Sequence, residues 1–147
     1  MHIVYVCREY PPTLRGGGIA TYIRLIAQGL VERGNKVTVI CASDDTRTSS
    51  DYRDKGVRVI RLSGGDFILP SVESPSLLKR FRFIYRFDSY RKKIREAILK
   101  LHDIDIIEVA DFGAESYFLK GINAPVVVRL HTLPRLGRGW LPDKHQL

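Results

Sequence analysis

Three consecutive glycines, Gly16, Gly17 and Gly18, stand in REYPPTLRGGGIATYI (residues 8–23) between a proline pair and an apolar-periodic run. Glycine tolerates positive φ and lets a backbone approach a ligand closely. A helix beginning at Ile19 would aim its free N–H groups and positive dipole end at whatever lies against Gly17 and Gly18. That arrangement outlines an anion site. The same triplet also fits a turn whose glycines only reverse the chain, and spacing does not choose between the two. Two nucleotide motifs are excluded. GGGIAT lacks the third glycine of the dinucleotide fingerprint, so Asp44 and Asp45 have no glycine pattern before them, and no GK[ST] follows the loop.

A second chemistry-bearing stretch is basic. Between residues 79 and 100 stand nine lysines and arginines against Asp88 and Glu96, which accounts for most of the chain's formal net charge of +8. In KRFRFIYRFDSYRKK the basic residues alternate with Phe81, Phe83, Ile84, Tyr85, Phe87 and Tyr90. Such a segment can press aromatics toward acyl chains while Lys79, Arg80, Arg82 and Arg86 meet anionic headgroups, each basic residue contributing on the order of 1 kcal/mol. An ordinary crossover helix with its basic side in water accounts for 87–101, and residues 79–86 fit either reading. No nucleic-acid motif accompanies the cluster, so nucleic acid ranks below a membrane as its partner.

The elements that position these residues follow from periodicity. Residues 2–7, 36–42, 57–62, 104–110 and 125–131 are short and mostly continuous in β-branched residues, as strands covered on both faces are. Ile19, Tyr22, Ile23, Ile26, Ala27 and Leu30 repeat at three- and four-residue spacing, predicting a helix over 18–33 closed by Gly34. Phe87, Tyr90, Ile94, Ile98 and Leu101 predict a second helix, and 114–121 a short third. Strands alternating with helices imply an α/β domain, a Rossmann-like open parallel sheet with helices on both faces and ligands beyond the strands' carboxyl ends. Arg8 to Gly18, Glu108 to Gly113, and His131 onward fall at those ends.

At 147 residues, 44% hydrophobic and 27% charged, the chain suits one globular domain. Its apolar runs are far short of the ~20 residues a membrane span needs. MHIVYVC is followed at once by Arg8 and Glu9, so no signal peptide is expected and a cytoplasmic location is the default. Cys7 and Cys41 read as buried reduced thiols. No His, Asp, Glu and Cys grouping has metal-ligand spacing, so neither metal nor cofactor is implied.

YPPTLRGGGIATYIRLIAQGLVERGNKVTVICA resembles the amino-terminal segment of the family 4 retaining glycosyltransferases, with its proline pair, GG loop, amphipathic helix and RGHxVTV strand. DIIEVADFGAE and PVVVRLHT are similar to later landmarks of that family, and the resemblance spans residues 1 to about 132. Asn35 and Lys36 replace the usual His-Glu pair before VTV, and Gly16 adds a third glycine. The resemblance implies the amino-terminal, acceptor-side half of a two-domain GT-B enzyme, truncated here before its last strands and lacking the carboxyl-terminal donor domain. Such an enzyme moves a sugar from a nucleotide diphosphate sugar to a polysaccharide or lipid-linked acceptor, and the basic segment would place it at the inner face of the cell membrane; the fragment alone would be inactive. Carried over by position, Gly17 and Gly18 meet the donor diphosphate and His131 faces the cleft beside the sugar. Glu108 and Asp111 hold acceptor hydroxyls, a role that competes with helix capping and a solvated loop. GRGWLPDKHQL (137–147) is expected to be loose or to pack against another copy. The competing class is a non-catalytic Rossmann-like module that binds a nucleotide or an anionic surface.

Overall fold

The structure is a computed structural model that describes residues 1–14, 16–45, 47–65, 77–111 and 114–131. The side chains of Lys79 and Arg80 and the segment 137–147 lie outside the described residues.

Six strands form one sheet in the order β3-β4-β2-β1-β5-β6. Five of them are parallel: β1 (His2–Val6), β2 (Lys36–Ala42), β4 (Val57–Leu62), β5 (Ile106–Ala110) and β6 (Val126–Arg129). These are the five strands expected from sequence. The sixth, β3 (Ser50–Asp54), was not expected; it pairs antiparallel with β4 at the sheet edge. Its sequence SDYRD is polar and mostly solvent-facing, so it carries neither the continuous nor the alternating apolar pattern of a strand.

Helix α1 (Gly18–Glu32) covers one face of the sheet. Ala20, Ile23 and Ala27 are its buried residues, and Ile23 and Ala27 pack with Tyr5, Cys7, Val37, Val39 and Cys41. It closes with a Schellman motif, in which Gly34, at φ 82°, donates to Val31 O and Asn35 to Leu30 O. Helix α2 (Leu77–Leu99) covers the opposite face through Phe87, Tyr90, Ile94 and Ile98, packed on Val4, Val6, Ile40, Ile107 and Val109. Ile94 and Ile98 are essentially inaccessible, and each such side chain contributes about 1.5–3 kcal/mol of burial. The expected third helix is a 3-10 turn at Glu115–Phe118, and α2 begins ten residues before Phe87.

The chain leaves β1 for β2 on one side and returns to β5 on the other. Between the carboxyl ends of β1 and β5 the strand order reverses, which in open α/β sheets is where a crevice for ligands forms.

Candidate functional site

Gly17 is the N-cap of α1, with extended backbone (φ −118°) and no side-chain cap; no acidic residue stands in the first turn. A Cβ added at Gly17 or Gly18 would meet nothing within 4 Å, and neither residue has positive φ. The turn itself therefore does not demand glycine at these two positions. What glycine provides there is room for a group outside the chain to approach exposed, uncapped N–H groups at the positive end of a helix.

One turn further along, Tyr22 reaches the ends of β5 and β6. Arg129 stands over its ring, 5.2 Å from the centroid, and the His131 ring meets it edge-on at 6.0 Å. Arg129 is fixed from its other side by Glu108, through Nε to Oε1 at 2.6 Å and Nη2 to Oε2 at 2.9 Å. Both carboxylate oxygens of Glu108 are thus engaged in a forked pair, which raises the Arg129 pKa. Burial pushes the nearby Tyr5 hydroxyl up to about 12, and the Glu108 charge adds to the rise.

Asp111, just beyond β5, ties the two strand ends together. Its N–H donates to Arg129 O at 3.1 Å, and its Oδ1 accepts the His131 N–H at 3.2 Å. His131 Nε2 is buried and has no hydrogen-bond partner among the described residues. The structure thus brings Asp111 and His131 into direct contact, with Glu108 joined to them through Arg129 and Tyr22. Gly18 lies four residues before Tyr22, one helical turn above this group.

Behind Asp111 lies a residue absent from the expected site. Glu115 is 2% exposed, and its Oε2 has no hydrogen-bond partner among the described residues. Burial pushes its carboxyl up to about 7; its own backbone N–H, Arg8 and Arg91 pull it back, while Asp111 adds to the rise. In sequence it is one carboxylate in a polar turn, with no spacing that would single it out. Arg129 and Tyr22 were missed for a different reason: each looks like surface or helix packing until the strand ends are brought together.

Cys7 and Cys41 are both fully buried, and burial raises both thiol pKa values, that of Cys41 to about 12. They are inert packing residues at neutral pH. Among the described residues no group of His, Cys, Asp and Glu could hold a metal ion, and no helix is long and apolar enough to cross a membrane.

Known proteins add the family. A family model for a glycosyl transferase 4-like domain matches residues 17–146. A search of curated proteins gave no match. Among solved structures, sucrose-phosphate synthase from Thermosynechococcus elongatus matches with TM-score 0.66 and 14% identity, covering 99% of this chain and 36% of that one. The catalytic domain of starch synthase IV from Arabidopsis thaliana, bound to ADP and acarbose, matches with TM-score 0.56 and 18% identity, covering 89% and 34%. The chain spans about a third of the length of either structure, and at these identities the likeness is one of fold. The Rossmann-like arrangement and the glycosyltransferase resemblance expected from sequence are both borne out, and with most of its length matched the chain belongs to the glycosyl transferase 4-like domain family.

Proposed function

We propose that this chain is the acceptor-side half of a glycosyltransferase that moves a sugar from a nucleotide diphosphate sugar to a polysaccharide or lipid-linked acceptor, and that it is inactive alone. The observation that carries the reading is the convergence, at the strand-order reversal, of the uncapped glycine start of α1 with Asp111 and His131. The starch synthase structure that shares the fold is bound to ADP and acarbose, which supports a diphosphate and a sugar as the ligands.

In this reading the Gly17 and Gly18 amides receive the donor diphosphate, and the α1 dipole stabilises the charge that builds on it as the sugar–oxygen bond breaks. His131 stands beside the sugar, where a neutral imidazole hydrogen-bonds a hydroxyl, a role that needs no charge on the ring. Asp111 holds an acceptor hydroxyl, and Glu108 shares in this while it keeps Arg129. The decisive experiment titrates the 15N-labelled chain with pyrophosphate and with UDP-, ADP- and GDP-sugars. The expected result is amide shifts centred on Gly17 and Gly18 with no sugar released. Silence at both glycines, or robust turnover by the chain alone, overturns the reading.

The acceptor would be reached at the inner face of the cell membrane. Leu78, Phe81 and Tyr85 line one stripe of α2 and are 77%, 69% and 76% exposed, beside the exposed Arg82 and Arg86. Apolar exposure of that kind flanked by arginines suits an anionic lipid surface. The chain is expected to co-sediment with phosphatidylglycerol vesicles, to ignore phosphatidylcholine vesicles and to be released by high salt. Equal binding to both lipids would remove the electrostatic basis of the proposal.

A further inference from the structure

Among the described residues, the segment that leads into the glycine triplet has few groups with which to hold itself in place. Pro11 and Pro12 have no N–H to donate, and Gly17 and Gly18 offer no side chain for packing. Its anchors come from far along the chain. Arg61, on β4 and 12% exposed at its side chain, donates from Nη2 to the carbonyls of Tyr10 at 2.9 Å and of Pro12. Its Nε donates to the Tyr52 hydroxyl at 3.2 Å, its Nη1 pairs with Asp44 at 3.4 Å, and its guanidinium stands over the Tyr52 ring. Asp44, beyond β2, also accepts the Thr13 hydroxyl at 2.7 Å.

We infer that Arg61 is a positioning residue for the amino terminus of α1, its planar fork fixing the Tyr10–Thr13 segment so that the exposed N–H groups at Gly17 and Gly18 point the same way before any ligand arrives. The β3–β4 hairpin then has a task beyond closing the sheet. Tyr52 of β3 fixes the plane of the guanidinium, and Asp44 fixes its charge. Two carbonyls, a hydroxyl and a carboxylate are met at once by the five donors of a guanidinium. An ammonium cannot span them. Holding a loop in its bound shape beforehand removes the ordering cost from ligand binding. The inference rests on the diphosphate reading only for the identity of the ligand; the clamp itself is tested separately.

The test compares Arg61→Met and Arg61→Lys with the parent chain by amide exchange and pyrophosphate titration. The Thr21 N–H, which bonds Gly17 O at 3.1 Å, reports the first turn of α1; the Ile107 N–H, which bonds Pro125 O at 2.9 Å, reports the sheet. Both variants are expected to speed exchange at Thr21 about tenfold while Ile107 is unchanged, as local rather than global opening requires. Pyrophosphate affinity is expected to fall about tenfold, the worth of one charge-assisted hydrogen bond. Equal acceleration at Thr21 and Ile107 would reduce Arg61 to general stability, and a lysine variant indistinguishable from the parent would show that charge alone suffices; either overturns the inference. If the parent shows no pyrophosphate shifts, the diphosphate reading falls, and the exchange contrast still decides the clamp.

Discussion

At pH 8, Glu115→Gln is expected to stabilise the chain by about 3 kcal/mol, and near pH 4.5 to change it little. The folded state holds the Glu115 proton up to about pH 7, against an ordinary 4.5, because the carboxyl is buried. In the unfolded chain the same group ionises near its ordinary value. Between the two values the folded state binds more protons, so stability falls as pH rises, by about 1.4 kcal/mol per pH unit. Below that window the group is neutral in both states and carries no penalty; above it the penalty is complete. Glutamine copies the neutral form and cannot ionise. At roughly 2–4 °C per kcal/mol for a domain of this size, the two melting curves should differ by roughly 6–12 °C at pH 8 and nearly coincide at pH 4.5. A difference that did not change with pH would mean that Glu115 titrates alike in the folded and unfolded chain, and the proton linkage would be wrong.

The reason to retain such a costly residue lies in its position. Glu115 shares its surroundings with Arg8 beyond β1, Arg91 on α2 and Asp111 beyond β5, and its charge also reaches Cys7 and Tyr90. Its charge thus also acts on Asp111, the residue that ties β5 to His131. Burying a carboxyl costs least where cations stand nearby, and Arg8 and Arg91 are the cations that lower the cost here.

The parts of this molecule that were legible in the sequence are those written in apolar periodicity. Strand β2 begins and ends where KVTVICA does, and α1 forms where its apolar stripe predicts, with Ile23 and Ala27 of that stripe buried against the sheet and Ile26 left exposed. Where the pattern is weak the reading fell short. In α2 the regular stripe begins at Phe87, but the helix starts at Leu77, with Leu78, Phe81 and Tyr85 left in water. Local spacing has no means of marking a helical turn whose apolar residues stay largely exposed among the described residues. At the candidate site, Gly17, Asp111 and His131 can be singled out from sequence because strand ends and glycines are local features. Arg61 and Tyr10 are 51 residues apart and Arg24 and Asp54 are 30 apart; only the folded sheet joins them. Polar networks closed over such distances leave no period in a single sequence.

Asp54 is where this invisibility matters most, and Asp54→Ala is expected to cost about 2–4 kcal/mol. Its Oδ2 accepts the Tyr10 hydroxyl at 3.0 Å, Arg24 Nε at 2.9 Å and Gln28 Nε2 at 3.0 Å. One carboxylate therefore joins the β3 end, the loop before the glycines and two successive turns of α1. Alanine leaves the donor of Tyr10, a residue 1% exposed, without its partner, whereas Arg24 and Gln28 can turn toward water. Burial alone would raise the Asp54 pKa, but the hydrogen bonds from Arg24 and Tyr10 outweigh it and hold the carboxyl below its ordinary 3.8. The linkage therefore has the opposite sign to that of Glu115. The stability Asp54 contributes is present above 3.8 and is lost as pH falls through the folded value. Denaturant melts of the parent and Asp54→Ala chains should accordingly be well separated at pH 6 and converge as the pH is taken below 3.8. Asp54→Asn, which keeps an acceptor for Tyr10 but drops the charge, should fall between them at pH 6 and show no convergence of its own with Asp54→Ala. If the asparagine chain were as stable as the parent, the hydrogen bonds rather than the charge would hold α1 to the hairpin, and the acid sensitivity would have to come from the exposed Asp51–Arg58 pair instead.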